Sequence, residues 1–321
     1  MAFTINSLTA LTNNYIAPSV VDSTFKGSPL AYWMKEQGRL SLRGGLAIRQ
    51  PIIKAQLNSS WYSGLDSTTI EALEPFTSAE FSWKWAEVPV VIPEEDIDKN
   101  SGPDGITDIV EATKEVASLT MTELLASGLA GTNSSATKQM DGLQDMGAAT
   151  GTAYGGLTDT DFVSPATWLM SIRTLLTTNT LVARDLRLGR GACTRGRSKP
   201  NLGYTNFPVY AKIWKLAQDS QRFGMERIAK LGFDHVMFED MPIMADEHSP
   251  GSGGSGTDNW FWGLNTDRMK LVIHENKAFS SRVYAPIFQQ QVFLAKILFG
   301  GNLITTERRA HFVFKLIDPT L

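Results

Sequence analysis

The chain has 321 residues, of which 42% are hydrophobic and 20% charged, and its net charge is -3, the balance of an ordinary globular protein able to bury a substantial core in one or two domains. So even a charge gives no overall cause for nucleic-acid or membrane binding, and a single cysteine, Cys193, excludes an internal disulfide and a multi-cysteine metal site within one chain. No window approaches the roughly 18 uninterrupted apolar residues of a membrane span, and the first residues lack the basic stretch and apolar run of a signal peptide.

Residues 1 to 27 are rich in Thr, Asn and Ser, with scattered apolar side chains such as Leu8, Tyr15 and Phe25, and read as an extended arm that must lie on something else. Ser28 to Gln37 reads as a short amphipathic helix, with Pro29 at its first position, Leu30, Trp33 and Met34 on its apolar side and Gly38 ending it. The period then changes to two. Leu46, Ile48, Gln50 and Ile52 alternate with their neighbours, as do Phe81, Trp83 and Trp85, which predicts the two legs of a hairpin. Ala55 to Glu80 joins them with weak periodicity and the apolar side chains Trp61, Tyr62, Leu65, Ile70, Leu73 and Phe76. A connection that long usually has a function, and a two-stranded ribbon cannot cover aromatic residues at its own end. The economical source of cover is another copy of the chain.

After the acidic run Glu94 to Asp98, a segment from the Ser101-Gly102-Pro103-Asp104 turn to Gly131 is free of proline and helical in period. Asp104, Asp108, Glu111, Glu115, Ser118 and Thr122 form its expected wet stripe, and Ile106, Ile109, Val110, Val116, Ala117, Met121 and Leu124 its covered one. About 27 residues at about 1.5 Å each make a rod of roughly 40 Å. Beyond a glycine- and alanine-rich link, helices are predicted over Ala166 to Leu176 and Val209 to Gln221. Strands are predicted over His235 to Phe238, Met241 to Met244, Trp260 to Leu264, Met269 to His274, Gln290 to Leu298 and His311 to Ile317. Strands that do not alternate with helices give an α+β class with a mixed or antiparallel sheet.

Chemistry is sparse. Gly251-Ser252-Gly253-Gly254-Ser255-Gly256 matches a dinucleotide fingerprint by letters, but it neither leaves a strand nor opens a helix and reads as a surface loop. Gly191 to Ser198 is one residue from a phosphate loop, with Arg197 in place of lysine, and Pro200 opposes the helix that would hold the phosphate. Asp96, Asp98 and Asn100 begin like a calcium loop that lacks its glycine and closing glutamate. His235, His248, His274 and His311 stand apart from one another, and Cys193 has no identifiable base. No catalytic residue, cofactor or metal is expected. Arg184 to Lys199 is strongly basic, and Arg190, Arg195 and Arg197 are candidates for a charged loop that pairs with a neighbouring subunit or faces DNA.

Three stretches carry a family resemblance: Ala79-Glu80-Phe81-Ser82-Trp83-Lys84-Trp85-Ala86-Glu87-Val88-Pro89-Val90, Lys138-Gln139-Met140-Asp141-Gly142-Leu143, and Ala295-Lys296-Ile297-Leu298-Phe299-Gly300-Gly301-Asn302-Leu303. Together with the order of arm, hairpin loop, long helix and α+β domain, they make the chain similar to the tailed-bacteriophage major capsid proteins of the Hong Kong 97 fold. The resemblance implies an arm and short helix over 1–40, an extended β-hairpin loop over 41–93, a peripheral domain with a spine helix over 94–154, an axial domain over 155–285 and return strands over 286–321. It implies self-assembly as pentamers and hexamers of an icosahedral virion head, put together in the bacterial host cytoplasm. Its implied partners are a portal, scaffolding or cement proteins as separate chains, and packaged double-stranded DNA bound without sequence preference. A nanocompartment shell of the encapsulin type shares the fold and is the alternative, with a soluble α+β enzyme a distant third. Trp61, Tyr62, Phe76, Phe81, Trp83 and Trp85 are the candidate inter-subunit anchors, because aromatic side chains carry a large share of interface energy; for Trp83 and Trp85, packing within their own subunit is as good a reading. Lys54 is the lysine on the outgoing leg of the loop, with no identifiable asparagine to cross-link to.

Overall fold

The computed structural model describes residues 28–54, 57–67, 74–95, 105–133, 138–147, 153–158, 173–174, 181–218, 235–249, 259–284 and 292–317. The arm, the Asp96 to Asn100 run, Asp104, Ile70, Leu73, the Gly251 to Gly256 segment and most of the helix expected over 166–176 lie outside them. The chain divides into two compact units, each assembled from separated stretches of sequence: 1–45, 83–142 and 270–303 in the first, 46–82, 143–269 and 304–321 in the second.

In the first unit, helix α1 (Pro29–Glu36) starts where expected, with the Ser28 hydroxyl accepting from Ala31 N at 3.5 Å, and stops at Gly38, whose φ of +64° suits a residue without a Cβ. Strand β1 (Leu40–Arg43) follows. The spine is α2 (Gly105–Ala130), 26 residues long and about 39 Å by helical rise. Two of its hydroxyls are satisfied inside the helix: Ser118 donates to Glu115 O at 2.7 Å, and Thr122 to Ser118 O at 2.9 Å.

The face it covers differs from the expected one. Ala117, Met121, Leu125 and Leu129 are buried at steps of four, whereas Val116 and Leu124 are exposed and Ser118 is buried. The short polar Ser118, bonded to its own backbone, fits the covered stripe.

Strands β4 (Lys84–Pro93), β10 (Met269–His274), β11 (Ser280–Tyr284) and the long β12 (Val292–Thr305) complete a five-stranded sheet with β1. It runs in the order β1-β10-β12-β11, with β4 also on β12.

In the second unit, β2 (Ile48–Ile53) and β3 (Phe76–Phe81) form the hairpin in the register Ile48↔Phe81 to Ile53↔Phe76. The returning leg is therefore Phe76–Phe81, not Phe81 to Trp85. Two residues, Ser82 and Trp83, break the run, and β4 begins afresh in the other unit. A six-stranded mixed sheet has the order β5-β13-β9-β6-β8-β7. It is made of β5 (Arg173–Thr174), β6 (Leu202–Thr205), β7 (His235–Phe238), β8 (Met241–Ala245), β9 (Asn259–Leu264) and β13 (Phe312–Ile317).

Arg173 and Thr174, expected in a helix, are strand residues paired to Phe312 and Val313. Helices α4 (Ala183–Cys193) and α5 (Phe207–Gln218), with a one-turn α3 (Leu143–Met146) before them in the chain, complete the unit. Leu186 and Cys193 of α4 and Val209 and Ile213 of α5 share one core with Val236, Ile243, Phe261, Phe312 and Phe314. Gly189 allows α4 to approach, since a Cβ there would lie 2.8 Å from Phe312 Cε2. The class is α+β, as expected.

Candidate functional site

The β2–β3 ribbon has one dry face and one wet one. Ile48, Gln50, Ile52, Ala79 and Phe81 are buried, while Arg49 and Glu80, paired across the strands at 3.5 Å, are exposed. Its base is fixed within the unit: Glu80 N donates to Gly155 O at 2.9 Å, and the Phe81 ring meets Tyr154 edge-on with centroids 5.0 Å apart. A Cβ on Gly155 would come within 2.7 Å of Phe81, so glycine is what lets this contact form. Phe81, at 3% exposure, is thereby spent inside its own unit, which corrects its assignment as an anchor for a neighbour.

The other end of the ribbon is bare. Trp61 is 103% exposed and Tyr62 78%, and Leu57, Leu65 and Phe76 are exposed with them. Residues 57–67 form neither helix nor strand. Apolar side chains left exposed at this end of the ribbon, with none of the described residues over them, make a patch of the kind that marks an interaction surface.

Trp83 and Trp85 sit in the first unit instead. Trp83 Nε1 donates to Gly45 O at 2.8 Å, its ring stacks on Trp85 at 6.2 Å, and both meet the His274 ring edge-on, at 4.8 and 5.3 Å. Lys277 Nζ stands 4.2 Å over the Trp85 ring, a cation–π contact, and Gly300 opposite leaves room for that ring. Packing within the subunit accounts for Trp83, whereas Trp85 keeps about half its surface exposed.

The basic segment is not a loop over Arg184 to Cys193: it is α4. Its first residue follows Val182, which has no capping oxygen, and the Asp185 carboxylate accepts from Val182 N at 3.1 Å instead. Arg190 is buried and held by Glu239, with Asp240 at 3.8 Å, while Arg187 reaches Glu239 at 3.2 Å. Arg190 is therefore committed inside the unit, which corrects its assignment to a neighbour or to DNA. Arg195 and Arg197, after the helix, are exposed on a turn closed by Arg195 N to Ser198 O at 2.8 Å.

Two polar centres were not anticipated. In the first unit, Asn302 Oδ1 accepts from Asp141 N at 2.9 Å and from Leu303 N at 3.0 Å, and its Nδ2 donates to Asp141 Oδ2 at 2.6 Å. Asn133 donates to the other Asp141 oxygen at 2.7 Å, and Lys84 Nζ donates to Asn133 at 3.0 Å. Gly142 packs so closely on the end of α2 that a Cβ would lie 2.3 Å from Gly131 O. Two of the stretches that carry the family resemblance, 138–143 and 295–303, meet here.

In the second unit, His311 is fully buried. Its Nδ1 accepts from Asn265 N at 3.0 Å, and its Nε2 lies 3.0 Å from Thr305 Oγ1. Burial, and secondarily the Arg308 charge, push its pKa down to about 3, so the ring is neutral and its Nε2–H donates. The Cys193 thiol, also buried, donates to His311 O at 3.3 Å.

No protein-family model and no curated protein sequence matches the chain. Solved structures do. The chain is similar to the holo-SrpI encapsulin complex from Synechococcus elongatus PCC 7942, at 11% identity and a TM-score of 0.62 over 90% of this chain and 88% of that one. It is similar to a cyanophage A-1(L) capsid chain, at 12% identity and 0.61 over 88% and 90%, and to the capsid of a native GTA particle, at 11% identity and 0.59 over 88% and 89%. The chain has the Hong Kong 97 fold.

At such low identity the likeness lies in the path of the backbone alone. In this Hong Kong 97-type chain the bare loop of 57–67, the half-covered Trp85 and the exposed Arg195 and Arg197 are the candidate contact groups that the structure leaves available. The solved structures it resembles are structural shells. Among the described residues, no helix is long and apolar enough to cross a membrane.

Proposed function

We propose that the chain is a shell subunit, the major capsid protein of a tailed double-stranded DNA bacteriophage, which assembles with copies of itself as pentamers and hexamers of an icosahedral head. The observation that carries this reading is the pairing of a Hong Kong 97 fold with a ribbon tip whose Trp61, Tyr62 and Leu65 its own described residues leave bare. Water-exposed aromatic surface on that scale favours association, and a subunit that reaches several neighbours accumulates avidity from modest single contacts. The arm and short helix over 1–40, the extended loop over 41–93, the spine domain over 94–154, the axial domain over 155–285 and the return strands over 286–321 are the parts of that subunit. A portal and separate scaffolding or cement proteins would be its protein partners, and DNA would be held on the inner face through phosphate charge without base contacts. The chain would reside in the virion after assembly in the host cytoplasm, without catalytic duty.

The likeness to an encapsulin favours a second reading, a compartment shell around a protein cargo. Electron microscopy of particles isolated from the native source, with extraction of their contents, separates the two: closed particles holding nuclease-protected DNA support the capsid, and particles holding a protein cargo and no DNA support the compartment. A small fixed oligomer that never closes into particles would defeat both and return the α+β enzyme.

A further inference from the structure

The second unit contains a recess of about 120 Å³ whose lining includes Cys193, Arg195, Ser198, Arg268, Glu307 and Arg309. Three guanidinium groups face one carboxylate, a local excess of two positive charges on a chain whose net charge is -3. Its walls are fixed. Arg195 and Ser198 are the ends of a turn closed by two backbone hydrogen bonds of 2.8 and 3.0 Å, with Gly196 at φ +57° between them. Arg268 ends a 3-10 turn, and its carbonyl accepts from Thr306 N at 2.8 Å and Thr305 Oγ1 at 3.0 Å. Arg309 lies in a second such turn, Arg308–Ala310.

Glu307 ties two of the arginines together, taking Arg309 Nε in a short hydrogen bond and standing 3.5 Å from Arg268 Nε. That pairing explains why the turns hold their places. It leaves donors over. Arg309 Nη1 has no acceptor among the described residues. Arg195 faces no carboxylate among the described residues. Ser198 Oγ accepts from Asn265 Nδ2 at 3.0 Å, so its own proton is available to an acceptor. Three guanidinium groups against one carboxylate leave the recess with donors and positive charge that an anion would use.

We propose that this recess is a binding site for a phosphoryl group, held by Arg195, Arg268, Arg309 and the Ser198 hydroxyl. A carboxylate has two oxygens, which one guanidinium can satisfy side by side. A phosphoryl group offers three oxygens and close to two charges, and so uses several forks converging from different elements. The site is formed by one unit of one chain and does not depend on the shell reading.

The test is isothermal titration of the full-length chain with inorganic phosphate at fixed ionic strength. Saturable uptake of one phosphate per chain is expected, weakened about tenfold or more in Arg195→Gln and in Arg309→Gln. Arg184→Gln, which changes an exposed arginine outside the recess, is expected to bind as the unaltered chain does. Arg195 has an exposed side chain, so its variant keeps the test open if Arg309→Gln fails to fold. No saturable uptake, or unchanged affinity in Arg195→Gln, would overturn the proposal. So would acetate binding as tightly as phosphate, which would assign the recess to a carboxylate of a second copy. A short DNA duplex that displaces phosphate in an Arg195-dependent way identifies the source as backbone phosphate, and phosphate binding undisturbed by the duplex identifies a free phosphoryl group; either supports the site.

Discussion

Replacing Trp61 and Tyr62 together by alanine separates folding from assembly. In the unassembled chain both side chains stand in water, Trp61 at 103% and Tyr62 at 78% exposure, so their loss should move subunit stability by no more than about 0.5 kcal/mol. On a neighbour, an aromatic side chain buries about 150–250 Å², worth roughly 4–6 kcal/mol gross at about 25 cal/mol per Å². Lost freedom of the partners and of the side chains takes back much of that, and truncation of a well-seated anchor typically costs about 2–4 kcal/mol. That corresponds to a roughly thirty- to thousandfold weaker contact. Urea denaturation of the unassembled subunit and light scattering of assembly against concentration measure the two quantities. The expected result is an unchanged denaturation midpoint with assembly shifted to much higher concentration. If assembly is unaffected, or if the midpoint falls as far as assembly does, the ribbon tip is not an intersubunit contact.

Asn302→Ala removes the acceptor of the Asp141 and Leu303 amides and a partner of the Asp141 carboxylate, and should cost about 2–3 kcal/mol by chemical denaturation; a change under about 0.5 kcal/mol would show that water replaces the amide freely. Arg190→Ala, which strips a buried cation from a partly exposed Glu239, should cost about 1–2 kcal/mol, while Arg197→Ala at an exposed position should be neutral; equal effects in the two would contradict the helical placement. The His311 ring has a folded pKa of about 3 against an unfolded value of about 6.5, so the unfolded chain binds the extra proton between those limits and stability falls as pH drops through them. By pH 5 that amounts to about 2 kcal/mol, and His311→Asn, whose oxygen can take the Asn265 amide, should lose this part of the slope; identical pH profiles in the two proteins would refute it.

The long helix was legible because 26 residues without proline average out local irregularities, and its period survives a few misplaced side chains. Its covered face was not, since Val116 and Ser118 are ranked by hydrophobicity in the sequence but by neighbours in the fold. The hairpin misreading has a simple cause. Phe81, Trp83 and Trp85 keep period two straight through Ser82, so nothing local marks where one strand ends and another begins with a partner about 200 positions away. Helix α4 hid behind Arg184, Arg187, Gly189 and Gly191, which suggest a basic loop, although Leu186, Gly189, Arg190 and Cys193 recur at helical steps and are the residues it buries. The arginine recess could not have been found at all, because Arg195, Arg268 and Arg309 are far apart until three separate turns bring them together.

Each unit is stitched from three remote pieces of the polypeptide, and the first lacks its central strand until residue 292 onward has been made. Lys296 finds Glu87 across 209 positions. On a ribosome that emits the chain from its amino end, β1 and β4 must wait for their sheet partners β10 and β12, more than 190 positions later. Closure of either unit thus waits for β12 or β13, and a translation product that stops before residue 292 would be left with open sheet edges.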